Sequence, residues 1–171
     1  MVSEKMAKML NDQIDKEFYS AYLYLSIANY YEDQDLDGFA NWYTIQAQEE
    51  RDHAMLFRSY LINDGTRVHM GPIDAPTADF ANVKAPMEAG LEHEKFITNS
   101  INEIYAAALA EHDYKTLQFL DWFVKEQGEE EKNASDLCKK YELFGHDPKG
   151  LYLLNSEYAA RVYSAPSLVL D

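Results

Sequence analysis

Cysteine is nearly absent. Cys138 is the one cysteine in 171 residues, so no disulfide can close within the chain and no Cys-rich zinc or iron-sulfur site can be built from it. Proline and glycine are also scarce, at five and seven residues, which leaves room for long unbroken helices. Positive charge is in deficit: 15 Lys and Arg against 30 Asp and Glu give a net charge of -15, which argues against a nucleic-acid or anionic-membrane partner and favours cations. No apolar run reaches transmembrane length, and Met1 to Leu10 carry Glu4, Lys5 and Lys8 where a signal peptide needs an apolar core. These absences lead us to expect a cytoplasmic protein, with 1–171 forming a single domain.

What is present is helical periodicity. Ser3 offers an N-cap for a first helix over about 3–32, whose stripe Leu10, Ile14, Glu17, Ala21, Tyr24, Ala28 advances in alternating steps of four and three. A second helix, about 38–64, carries Phe39, Tyr43, Gln46, Glu50, His53, Phe57 and Tyr60 and closes at Gly65. The third, about 83–110, carries Met87, Gly90, Glu94, Ile97, Ile101, Ile104 and Ala108. The fourth, about 114–144, is capped by Asp113, stops at Gly145, and carries Thr116, Leu120, Phe123, Gln127, Glu130, Ala134, Leu137, Tyr141 and Phe144. A fifth, short helix over about 151–162 follows, read either as an oligomer contact or as packing on its own bundle end. Short polar connections make the first two helices antiparallel neighbours. Gly71, Pro72 and Pro76 mark the segment between helices two and three as a long loop. It is long enough to cross the bundle and leave the third helix parallel to the second. The expected fold class is all-α, a four-helix bundle with a long crossover and an added C-terminal helix.

Every stripe is interrupted near its middle by a polar residue. Glu17 and Glu50 are 33 residues apart, as are Glu94 and Gln127; His53 and Glu130 follow three residues after the second member of each pair. The two halves repeat this frame with an offset of 77 residues, and the hairpin midpoints fall near 34 and 111, inside the expected turns. All six side chains should therefore share one layer of the bundle. Four carboxylates, an imidazole and an amide form a hard donor set suited to two divalent first-row ions such as iron or manganese, with Glu50 placed to bridge them. Burying four acids costs several kcal/mol each, of the order expected for uncompensated ions, and two divalent cations would offset that.

With these motifs in place the chain resembles the ferritins, and most closely the bacterial and archaeal non-haem type. The resemblance runs from Asn11-Asp12-Gln13 through Gln48 to His53, Glu92-His93-Glu94 and Phe119 to Gln127, into the fifth helix. It implies a ferritin-like bundle assembled as a homo-oligomeric 24-subunit cage that stores iron. In such a cage each subunit oxidises ferrous iron with dioxygen or hydrogen peroxide and deposits ferric mineral inside. Glu17, Glu50 and His53 would hold one iron, Glu50, Glu94 and Glu130 a second, with Gln127 beside them. Tyr24, two turns after Glu17, would hydrogen-bond the centre and can supply an electron. Glu49, Glu126 and Glu129 match a third iron site, and Trp122 matches a tryptophan near the centre.

Departures from related patterns narrow the reading. A bacterioferritin would carry a second Glu-x-x-His and a methionine before the first histidine; here Gln127, Glu130 and Asp52 stand there, so no haem is expected. Animal ferritins line threefold channels with acids near the start of the fourth helix, where Leu117 and Leu120 are expected here. His69, His93, His112 and His146 fall outside the acidic stripes and are expected to be surface or packing residues, and Cys138 to have no chemistry. A non-catalytic cage subunit, a DNA-protecting mini-cage and a di-iron oxygenase are the competing classes. The intact ligand set weighs against the first, and acidity and the fifth helix against the second.

Overall fold

The computed structural model describes residues 1–170, and its described elements are five helices with no strand among them. They are α1 (Glu4–Asp33), α2 (Asp37–Asn63), α3 (Ala85–Ala110), α4 (Tyr114–Phe144) and α5 (Pro148–Ala159). The expected bounds of α1, α2 and α4 agree with these to within a residue. Ser3 caps α1 by accepting from the Met6 amide at 3.0 Å, and Asp113 caps α4 by accepting from the Thr116 amide at 3.1 Å. α3 starts two residues later than expected, with Pro86 in its first turn, where its missing N–H costs nothing. α5 starts earlier and ends short of Val162. Asp147 caps it through the Lys149 and Gly150 amides, each at 3.0 Å, and Pro148 again occupies the first turn.

Turns at 34–36 and 111–113 fold α1 onto α2 and α3 onto α4 as antiparallel pairs. The crossover at 64–84 climbs the outside of α1. The His69 amide donates to Asn11 (2.7 Å), Gly71 to Asp15 (2.9 Å), the Ser26 hydroxyl to the Thr77 carbonyl (2.6 Å) and the Tyr31 hydroxyl to the Val83 carbonyl (2.8 Å). Because α1 ends where α2 begins, this climb returns the chain to the start of α2, and α3 runs parallel to it.

Leu117 and Leu120 lie in the subunit's own core, and Leu120 is fully buried. The expectation that they line a channel is therefore wrong: the apolar stripe of α4 already begins at this level, and both side chains turn inward. Core packing forms two blocks. One gathers Leu10, Ile14, Phe57, Ile97, Ile101, Phe119 and Phe123; the other gathers Tyr24, Ile27, Tyr31, Phe39, Tyr43, Met87, Leu137 and the inner face of α5. Between these blocks in sequence on all four long helices fall the polar interruptions of the stripes. No described helix is long and apolar enough to cross a membrane.

Candidate metal centre

Each long helix delivers its polar residues from the inward stripe, so Glu17, Glu50, His53, Glu94, Gln127 and Glu130 are all buried, none more than 5% exposed. The ligand atoms of Glu17, Glu50 and His53 lie within 4.8 Å of one another, and so do those of His53, Glu126 and Glu130. His53 belongs to both groups, and its Nδ1 is 3.5 Å from Glu50 Oε2. Glu94 belongs to neither group; its carboxylate accepts from the Tyr24 hydroxyl and from Gln127 Nε2 at 3.1 Å.

Three amides hold the four acids. Gln13 Nε2 donates to Glu17 Oε1 at 2.8 Å; Gln46 Nε2 donates to Glu50 Oε1 at 3.1 Å and to Glu130 Oε2 at 2.8 Å; Gln127 serves Glu94. Gln13 is itself oriented by the Ser100 hydroxyl at 2.6 Å, which accepts from Lys16 Nζ at 2.6 Å. The sequence reading singled out neither Gln13 nor Gln46 as a site residue. A signal existed, since each precedes a stripe glutamate by four residues and so stands one turn below it on the same face. Gly90 gives the tyrosines space: a methyl group there would meet the Tyr43 hydroxyl at 3.3 Å and the Tyr24 ring at 3.6 Å.

Electrostatics record the crowding. Burial, then the charge of Glu50, pushes Glu17 up to about 8. Burial raises Glu94 to about 8 with Glu50 adding to it, and burial raises Glu130 to about 8 with Glu94 adding to it. Glu50 is raised well above the usual carboxylate range by burial and by Glu130. Two buried atoms, Glu17 Oε2 and His53 Nδ1, have no hydrogen-bond partner. An oxygen and a nitrogen left unsatisfied within one acidic cluster fit metal ligation.

Glu49, Glu126 and Glu129 are placed differently from one another. Glu126 is half-buried in the group with His53 and Glu130. Glu49 accepts from Arg161 Nη2 at 2.5 Å. Glu129 faces outward and pairs with Lys125 at 3.6 Å. Trp122 sets its ring edge-on to His53, with centroids 5.5 Å apart, and donates to Ser167 Oγ at 2.9 Å. His93 packs against Tyr19 and Tyr24 and bonds Ser20 Oγ at 2.7 Å; burial pulls it down to about 4, so it stays neutral near pH 7.

Comparison with known proteins identifies the family of this fold. A model of the ferritin-like domain matches residues 7–144. A bacterial non-heme ferritin of Campylobacter jejuni is 39% identical over 153 residues, covering 90% of this chain and 92% of its own. A probable bacterial non-heme ferritin-like protein of Haemophilus influenzae is 38% identical over 157 residues, covering 92% and 95%. Among solved structures, a closed form of Archaeoglobus fulgidus ferritin made by site-directed mutagenesis superposes with a TM-score of 0.94 at 40% identity, covering 96% of this chain and all of that one. The open-pore ferritin of the same archaeon gives 0.92 at 41% identity, covering 94% and 98%. With a family model spanning most of its length, this chain belongs to the ferritin family.

Proposed function

We propose that the protein is an iron-storage ferritin and a ferroxidase. It would take two ferrous ions as substrate in the polar layer and release ferric iron into a 24-subunit homo-oligomeric cage in the cytoplasm. Support comes above all from one observation: Glu17 Oε2 and His53 Nδ1 are buried without a hydrogen-bond partner among four carboxylates held in place by amides. In this reading Glu17, Glu50 and His53 hold one ion, and Glu50, Glu94 and Glu130 hold the other, with Gln127 orienting Glu94. Two ferrous ions give one electron each to dioxygen, which takes up two protons and leaves as hydrogen peroxide; with peroxide as oxidant the product is water.

The protein's part is geometry and proton bookkeeping. Carboxyls raised to about 8 are largely protonated near neutral pH in the metal-free chain, so iron binding must expel those protons. The Tyr24 hydroxyl, donated to Glu94, fixes that carboxylate's rotamer and lies close enough to supply an electron. Glu126, grouped with His53 and Glu130, offers a further ligand beside the layer, with Glu49 and Glu129 nearby on α2 and α4.

The test is anaerobic ferrous loading followed by a dioxygen pulse, on the wild type and Glu50→Ala, with particle mass measured by native mass spectrometry. Fast oxidation in the wild type, slowed at least tenfold in the variant within a particle of about 24 chains, is the expected outcome. Equal slow oxidation in both would reject the ferroxidase reading.

A further inference from the structure

Beyond α5 the chain turns back over the bundle. Residues 160–170 follow α2 from Asn41 toward Asp52 and reach α4 at Trp122, on the side carrying Glu49 and Glu126. Asn41 Nδ2 donates to the carbonyls of Tyr158 (3.2 Å) and Arg161 (3.1 Å), which fixes the turn. Tyr163 donates to Asp52, Trp122 donates to Ser167, and Leu168 and Leu170 pack on the core. The segment is thus anchored along its length.

Arg161 is its tightest anchor. Nη1 donates to the Trp42 carbonyl and to Gln46 Oε1, both at 3.0 Å, Nη2 donates to Glu49 Oε2, and the guanidinium lies 4.2 Å over the Trp42 ring. Its side chain is 15% exposed and that of Glu49 17%. The other end of the Gln46 amide holds Glu50 and Glu130. One hydrogen-bonded line therefore joins the tail to the dinuclear layer.

We propose that Arg161 is a built-in cation at the exit from the dinuclear centre. It occupies Glu49 until a metal ion displaces it, so that residues 161–170 form a strap whose release accompanies metal binding at Glu49 and Glu126. This rests on the reading of those two glutamates as metal ligands. A guanidinium held on Glu49 Oε2 and a divalent ion on the same carboxylate repel each other at short range, so binding of one weakens binding of the other. An arginine suits the post because its rigid planar fork presents separate N–H groups to Gln46 and Glu49 while its face lies on the Trp42 ring.

Zinc tests the idea because it is redox-inert and takes the same carboxylate and imidazole donors. Both of the chain's tryptophans touch the strap, Trp42 beneath Arg161 and Trp122 at Ser167, so a Trp122→Phe background leaves Trp42 as a sole reporter. Calorimetric titration in that background should show two tighter equivalents per chain and a later, weaker one whose binding alone shifts Trp42 emission. Arg161→Gln should tighten the later equivalent roughly tenfold and silence the emission change, with Arg161→Lys in between. Glu49→Gln should abolish the later equivalent whether or not Arg161 is present. Equal affinity for the later equivalent in the parent and in Arg161→Gln would overturn the proposal. Absence of any later equivalent in all variants would overturn it together with the reading of Glu49 and Glu126, while two tight equivalents lost on Glu50→Ala would leave the dinuclear reading standing.

Discussion

Gln13, Gln46 and Gln127 each spend a buried amide on holding a carboxylate in place, and this preorganisation has an energetic cost that varies with pH. Glu17, Glu94 and Glu130 are raised from about 4.5 to about 8, chiefly by burial. Below pH 4.5 these groups carry a proton in folded and unfolded chains alike and contribute nothing to the pH dependence. Between 4.5 and about 8 the unfolded chain ionises while the folded one keeps its protons. Stability of the metal-free protein therefore falls as pH rises, by up to about 1.4 kcal/mol per pH unit per group, and levels off above 8. Glu17→Gln removes one such group and keeps an oxygen acceptor for Gln13. We expect the metal-free variant to match the wild type near pH 4.5 and to exceed it by about 1 kcal/mol or more at pH 8, read from urea midpoints, while binding ferrous iron more weakly. A variant less stable than wild type at pH 8 would mean that the site is not strained by its own charge.

The pseudo-symmetry that the spacing of the ligands suggests extends to the turns. Asp35 and His112 both adopt positive φ, 57° and 56°, and they are 77 residues apart, the same offset that relates the ligands. In each turn a main-chain bond closes back over the helix end, from the Leu36 amide to the Tyr31 carbonyl and from the Asp113 amide to the Ala108 carbonyl, both at 2.9 Å. α2 ends in the same way at Gly65, with φ of 78° and a Thr66 to Leu61 bond of 2.9 Å. Only the last carries glycine, so only that ending was marked in the sequence; aspartate and histidine tolerate the left-handed region without announcing it. His112→Gly should relieve the left-handed strain and raise stability by about 0.5–1 kcal/mol, visible as a higher unfolding temperature with unchanged helicity. Gly145 ends its helix in another way. The helix stops there as expected, with Gly145 as its C-cap, but φ is -82° and not left-handed; what the glycine avoids is a methyl group 2.3 Å from the Tyr141 ring. The polar layer was legible because acids in an apolar stripe have no cheap explanation, and turn midpoints fix their level. Arg161 was not legible: its partner Glu49 is 112 residues away, and the tail has no periodicity to orient it.

At the scale of the molecule, the bundle satisfies its core and leaves apolar surface over. α5 turns Leu154 and Tyr158 inward, as packing on its own bundle end requires, and leaves Tyr152 and Leu153 more than half exposed. On α1 and α2 a groove runs along the outside of the hairpin, its floor apolar at Phe18, Ala21, Tyr22, Leu25 and Ala47 and its edge polar at Thr44, Gln48 and Arg51, with Tyr22 52% and Leu25 44% exposed. A chain with net charge -15 gains nothing from exposing such a strip to water, whereas a second copy seated there would bury it. Leu25 is 44% exposed and belongs to neither core block, so replacing it should leave the subunit intact. Leu25→Arg places a long cation in that groove, and two such charges facing each other across a symmetric contact repel while desolvated. The expected result is wild-type helicity by circular dichroism with loss of the large particle in light scattering, leaving small oligomers. An unchanged particle mass would show that this face is not a subunit contact.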